Sequence, residues 1–455
     1  MADTLISPNI GDPIDDERLR RFQADFRQEP RNRASMNAVA TTGVNKVALD
    51  RQAVVETDFS FSVHLPENKA TTQLSSGRCW LFAALNVMRV KAIANMKLDD
   101  EFELSANHLM FWDKLEKANY FLESVLDTLD EPTDGRLVNW IFKDPIQDGG
   151  QWHMVVSLVQ KYGVVPKAIM PETESSGNTA WMNRMITAKL REYGAEIRRM
   201  HAAGAGMDDL RSFKEGSMSE TYRMLAIHLG EPPTDFHWQW RDEDRNFHRD
   251  GRITPQEFFA KHVQIDLDDY VCLIHCPQAS KTMNTLYTVK YLGNVVGGKP
   301  VEYVNVPLDV MKPAAIAQLK DGESVWFGCD VGQFLDRDLG VLNTHLFDFE
   351  SVYGTAPRLD KAARLDYGQS LMTHAMVFTG VDLDTHDQPL KWRVENSWGE
   401  KGGDKGFLMM TDAWFDEYNY EVAVHKTYLS AEVLAILDQA PVELEPWDPM
   451  GSLAG

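Results

Sequence analysis

Apolar residues recur along the chain at spacings that separate helix from strand, and one stretch stands out from both patterns. From Trp80 to Ile93 they cover nearly every side of a helical projection, with charge only at Arg89 and Lys91. That pattern predicts a helix buried in a large core rather than one lying on a surface. A polar loop precedes it, Gln73-Leu-Ser-Ser-Gly-Arg-Cys79, with a turn-forming Ser-Ser-Gly. Cys79 therefore sits where loop becomes helix.

Other segments are patterned more conventionally. Asp15-Asp16-Glu17 suits a helix N-terminus, and Leu19, Phe22 and Phe26 follow at helical spacing. Asn37 to Asp58 reads as loop with short extended pieces. Ser105 is an N-cap candidate for an amphipathic helix carrying Leu109, Trp112 and Leu115, with His108 as a packed or surface residue. Asp148-Gly149-Gly150-Gln151-Trp152 breaks the periodicity. Two adjacent glycines make either a turn or the wall of a cleft that another backbone can approach. A helix over Met154–Tyr162 should end at Gly163. Trp181–Met200 and Met207–Leu229 read as charged amphipathic helices. A strand-like aromatic segment follows Glu231-Pro-Pro, and Thr254-Pro255 starts another helix.

Strand patterns return from Glu323. Ser324–Asp330 is short and apolar. Leu371–Asp382 is strand-like, with Gly380 marking a bulge or close packing. Leu390–Gly399 alternates Trp392 and Val394 with Lys391, Arg393 and Glu395, as a half-buried strand does. The tail from Pro441 to Gly455 has three prolines and reads as irregular, either frayed or docked as an arm. These textures divide the chain into an N-terminal arm (1–64), a helical lobe (65–170), a mainly helical insertion (171–310), a β-rich lobe (311–440) and a C-terminal arm (441–455).

Composition narrows the function classes. With 455 residues, several lobes or one core with large insertions are expected. A net charge of -22 repels phosphate backbones and argues against a nucleic-acid role. The four cysteines, Cys79, Cys272, Cys276 and Cys329, are dispersed without a CxxC or finger-type His/Cys pair, so neither a disulfide scaffold nor a metal site is expected, and no cofactor. The N-terminus has no secretory pattern, and no apolar run of about 18 residues spans a membrane. A reducing, cytoplasmic compartment is the expectation, where a free thiol survives.

A thiol at a helix start feels the positive end of the helix dipole and free first-turn amides, which favour the thiolate. The competing explanation for Cys79 is a small core residue. A thiolate nucleophile needs a base, an orienter for the base and donors for the oxyanion. The chain offers Cys79 as nucleophile, His374 as base and later acid, Asn396 to fix the imidazole tautomer, and Gln73 with the Cys79 backbone amide as oxyanion donors.

In their local contexts these residues resemble papain-like cysteine peptidases. Gln73 stands six residues before Cys79, Gly77-Arg78-Cys79-Trp80 opens the buried helix, His374 opens an apolar strand, and Asn396-Ser-Trp398-Gly follows an alternating one. The resemblance implies an α+β, papain-like two-lobed fold in which Trp398 covers the His–Asn hydrogen bond. It also makes Gly149 and Gly150 the strand that binds the substrate backbone. Cys79 and His374 lie 295 residues apart, whereas papain-like enzymes separate them by about 130–150, so roughly 150 residues are inserted. That departure, with Glu103–Asn119, Asp148–Trp152, Trp326–Gly332, Ser370–Met376 and Pro446–Gly451, is similar to the bleomycin hydrolase and bacterial aminopeptidase C family.

This narrower resemblance implies a cytosolic homohexamer acting on peptides, with active sites facing a central channel. It also implies a C-terminal arm whose terminal carboxylate holds the substrate's free amine, which makes the enzyme an aminopeptidase. Typical members end near Met-Gly-x-Leu-Ala, whereas here Gly455 follows Ala454. One more residue carries the carboxylate up to about 3.5 Å further. An oligo-endopeptidase with the same catalytic residues is therefore the alternative. A silent binding protein is disfavoured, because all four catalytic residue types are present.

Overall fold

A computed structural model describes residues 11–454. The chain divides into two compact units. One comprises residues up to Glu56 together with His345–Arg358, and the other comprises Thr57–Thr344 and Leu359 onward.

The first unit is helical. Helix Asp16–Gln28 begins at Asp15, whose carboxylate accepts the Arg18 N–H at 2.8 Å. Pro30 then opens helix Pro30–Thr42, which ends at Gly43 with φ 89°. Short helices Val44–Ala48 and Arg51–Val55 follow, the latter capped by Asp50. The loop and extended pieces expected over 37–58 are thus largely helical. The reason is local: a proline at the first turn and an Asp cap start helices that the weak apolar periodicity does not advertise.

The second unit is built on a 12-stranded sheet. Its order runs Val442–Leu444, Thr285–Val289, Glu302–Asn305, Tyr270–Ile274, Asn419–His425, Val325–Cys329, His374–Leu383, Pro389–Glu395, Phe407–Thr411, Val341–Leu342, Leu335–Asp336. Val63–His64 pairs beside His374–Leu383. Along the central strands alternate residues serve different cores, as strand geometry requires. Trp326, Ala375 and Val377 join the core around helix Cys79–Met96. Phe327, Met376 and Phe378 join the core around helix Leu308–Lys320. Gly380 lies at a register shift, where a Cβ would come within 2.6 Å of the Val63 carbonyl.

Helix Cys79–Met96 is buried over most of its length, as its pattern predicts. Its one buried charge, Arg89, meets Glu395 at 2.6 Å, which ties the helix to strand Pro389–Glu395. The expected helices appear as Ala106–Asp127, Trp152–Tyr162, Ala180–Ala202 and Met207–Leu229. The aromatic segment forms the hairpin Phe236–Arg241 and Phe247–Ile253. Helical texture ends before 310, because strands Tyr270–Ile274, Thr285–Val289 and Glu302–Asn305 enter the large sheet. The tail also differs from expectation. Val442–Leu444 pairs in parallel with Thr285–Val289, and Pro449–Ala454 forms a 3-10 turn. Its prolines stand outside the paired strand, so they do not interrupt its ladder.

Candidate active site

Cys79 is the first residue of its helix, with Arg78 at the cap position. The loop before it is held at several points. The Gln73 N–H donates to the Ser397 carbonyl at 2.8 Å, and the Ser397 hydroxyl donates to Gln73 Oε1 at 2.6 Å. Gln73 Nε2 donates to the Ser76 carbonyl at 2.5 Å, leaving its second N–H uncommitted. Leu74 takes a left-handed φ of 52°, unusual for a branched side chain. The Gly77 N–H donates to Asp148 at 2.9 Å, and Arg78 forks onto Glu172 at 3.1 and 2.8 Å.

His374 opens its strand and presents Nε2 to Asn396 Oδ1 at 2.9 Å. The same Asn396 atom accepts the Ser397 backbone N–H at 2.8 Å. A backbone N–H is always a donor, so this atom is the amide oxygen. His374 therefore carries its proton on Nε2 and leaves Nδ1 as acceptor. Trp398 lies 5.1 Å from the His374 ring, centroid to centroid. Arg337 in turn lies over Trp398, with Cζ 4.3 Å from the ring centre. The backbone N–H of Ala375, directly after His374, reaches the Cys79 sulfur. The structure thus brings Gln73, Cys79, His374, Asn396 and Trp398 together at the junction of the buried helix and the central sheet.

Burial governs the protonation of both Cys79 and His374. It pushes the Cys79 thiol up to about 11, against the backbone N–H groups of Ala375, Trp80 and Cys79 itself. The amides expected to favour the thiolate are present, but desolvation outweighs them. Burial also brings His374 down to about 4, with Asn396 pulling upward and the Arg337 charge adding to the fall. Neither group ionises alone here; a proton passing from sulfur to imidazole creates both charges together, each offsetting the other.

Gly149 and Gly150 are both required by close approach. A Cβ on Gly150 would sit 2.5 Å from the Trp80 ring. A Cβ on Gly149 would sit 2.2 Å from the Leu453 carbonyl oxygen, so the C-terminal arm lies against this glycine pair. The arm is anchored along its length. Asp448 pairs with Lys281 at 3.0 Å, Met450 and Leu453 are buried, and the Ser452 hydroxyl donates to the Met372 carbonyl at 3.0 Å. Gly455 lies outside the described residues.

Several residues at the site escaped sequence reasoning. Asp148 accepts from Gly77, Thr179, Asn183 and Lys114. Burial raises its pKa, but Lys114 and these donors overcome it and hold the carboxyl well below its usual range. Lys117 donates to the Gly149 carbonyl at 2.6 Å. Asp148 lies inside the quoted Asp-Gly-Gly-Gln-Trp stretch, which was its one signal. Lys114 and Lys117 looked like the polar face of an amphipathic helix, and nothing in the sequence pointed to Arg337.

Residues 13–451 match the Peptidase C1-like family. The chain is 48% identical to aminopeptidase C of Streptococcus thermophilus, covering 95% of this chain and 97% of that one. It is 42% identical to bleomycin hydrolase of Mus musculus, covering 97% and 99%. Among solved structures, PepW of Lactobacillus rhamnosis HN001 superposes with a TM-score of 0.94 at 47% identity, covering 96% of this chain and 99% of PepW.

Proposed function

The chain belongs to the Peptidase C1-like family and is a papain-like cysteine peptidase, and from that premise we propose that it is an aminopeptidase releasing N-terminal residues from short peptides. Cys79 Sγ attacks the scissile carbonyl carbon as its proton passes to His374 Nδ1. The oxyanion is held by the Cys79 backbone N–H and the uncommitted N–H of Gln73. As the C–N bond breaks, the imidazolium gives its proton to the leaving amine, and a thioester remains. Water then attacks the thioester while His374 takes its proton. The thiolate leaves and regains that proton, and the carboxylic acid departs. Asn396 keeps Nε2 protonated throughout, and Trp398 shields that hydrogen bond from water.

The observation that carries the aminopeptidase reading is the Leu453 carbonyl against Gly149. A peptide laid along Gly149 and Gly150 meets the arm on its amino side, so only a short N-terminal portion fits before the cleaved bond. The arm's terminal carboxylate then limits access by engaging the substrate's free amine. This geometry disfavours the oligo-endopeptidase alternative. The proposal extends to a cytoplasmic homohexamer, which sedimentation would register as six copies of a 51.6 kDa chain.

The test compares an aminoacyl amide with its N-acetylated form. Cleavage of the free amine alone supports the proposal, and equal cleavage of both rules out exopeptidase action. Cys79→Ala should abolish turnover of either compound.

A further inference from the structure

Carboxylates outnumber cations in this chain, 68 Asp and Glu against 46 Lys and Arg. Arginines around the site are accordingly paired: Arg78 with Glu172, Arg89 with Glu395, Arg393 with Glu67. Arg337 is different. Among the described residues no carboxylate lies within ion-pair distance of its guanidinium, which instead lies over Trp398. We propose that Arg337 is the receptor for the free C-terminal carboxylate of the substrate, making di- and tripeptides the preferred class. The inference rests on the aminopeptidase reading above and adds the other end of the substrate to it.

The distances support that assignment. His374 protonates the leaving amine, so the leaving nitrogen stands beside the imidazole. Steps of 5.1 Å and 4.3 Å lead from that ring to Trp398 and on to the guanidinium carbon. Each extended residue spans at most about 3.5 Å, and a guanidinium–carboxylate contact adds about 2.8 Å. The guanidinium carbon thus lies at most about 9.4 Å from the His374 ring, a span that one or two extended residues beyond the cleaved bond cover and a longer extended chain passes. A planar guanidinium held on an aromatic face keeps its N–H edge free for two-pronged carboxylate binding.

The backbone that carries the cation is also held in place before substrate arrives. It occupies the tip of the hairpin formed by Leu335–Asp336 and Val341–Leu342. Asp336 Oδ1 accepts the Asp338 and Leu339 N–H groups, each at 3.0 Å. The Gly403 N–H donates to the Asp338 carbonyl at 3.2 Å. A Cβ on Gly402 would stand 2.3 Å from the Arg337 carbonyl, so that loop packs directly on the tip. A fixed backbone and a position over the Trp398 ring both reduce the freedom this charge loses on binding. The adjacent carboxylate of Asp336 is committed to the hairpin's own amides. Together, the arm at Gly149 and Arg337 beyond His374 bracket a short peptide at both ends.

The test measures kcat/KM for a tripeptide and its C-terminal amide with the same N-terminal residue, on wild type, Arg337→Gln and Arg337→Lys. Wild type should favour the free acid by about 10- to 100-fold, mainly through KM, as expected for a charge-assisted pair. Arg337→Gln should bring that ratio near one, and Arg337→Lys should keep part of it. The same comparison on a hexapeptide and its amide should give a ratio near one with wild type. A wild-type tripeptide ratio near one, or a ratio that Arg337→Gln leaves intact, overturns the proposal. Both substrates meet the same enzyme, so partial unfolding of a variant cancels in the ratio. The wild-type ratio decides alone if Arg337→Gln does not fold. Equal cleavage of N-acetylated and free peptides would mark failure of the aminopeptidase reading, whatever the acid-to-amide ratio.

Discussion

At the scale of single residues, desolvation sets the working pH. An ordinary histidine takes up a proton near 6.5, whereas burial brings His374 down to about 4. Its imidazole therefore stays an acceptor for the Cys79 proton until the pH falls to that value. Activity should hold through mildly acidic conditions and be lost as the pH drops through about 4. Iodoacetamide inactivation of Cys79 followed against pH checks this, and an acid limb near 6.5 would contradict it. The residues proposed to react were legible because such chemistry imposes neighbours: a helix start for Cys79, with Gln73 six residues before it, a strand start for His374, and a tryptophan beside Asn396. Arg337 was not legible. Its role comes from lying on Trp398, 61 positions away in sequence, and no local pattern encodes a partner that distant.

At the scale of elements, two glycines separate the site's mechanics into independent parts. Gly149→Ala would press a methyl group toward the Leu453 carbonyl, so the arm must shift while the helix behind it is untouched. The expected result is faster cleavage of N-acetylated peptides relative to free ones. Gly150→Ala would instead drive into the Trp80 ring, and overpacking of this kind costs about 1–3 kcal/mol. That variant should melt earlier without gaining activity on blocked peptides. Thermal melts and the paired peptide assay distinguish the two. The Gly-Gly pair was visible as a break in periodicity, but which neighbour each glycine accommodates was not. The arm was read as irregular because prolines dominate its composition, yet three residues between them, Val442–Leu444, suffice to join the sheet.

At the scale of the whole molecule, the sheet conceals a charge problem at its centre. Glu421 is fully buried in strand Asn419–His425, and among the described residues no cation pairs with its carboxyl. Burial lifts its pKa to about 8, although the Cys272 thiol beside it pulls the other way. The unfolded chain ionises this group near 4.5. Below that value both states are protonated and nothing is lost. Between the two values the folded state keeps its proton while the unfolded state releases it. Stability therefore falls by up to about 1.4 kcal/mol per pH unit from this group and levels off above about 8. Glu421→Gln should raise the melting temperature at pH 8 more than at pH 5. Equal effects at both would show that the carboxyl is not the cause. Of the two flanking strands only Ser324–Asp330 was legible, as a short apolar run, and no local pattern marked Glu421. Only the pairing of Asn419–His425 between Tyr270–Ile274 and Val325–Cys329 buries it.

The contact between Leu453 and Gly149 also has a practical side. Anything joined after residue 455 starts three positions beyond that contact. A purification tag or fluorescent fusion at the carboxyl end would begin close to Gly149 and, on the proposed reading, at the opening through which peptides enter. Preparations carrying one would report on a rearranged opening, and removing the tag would be part of making the enzyme.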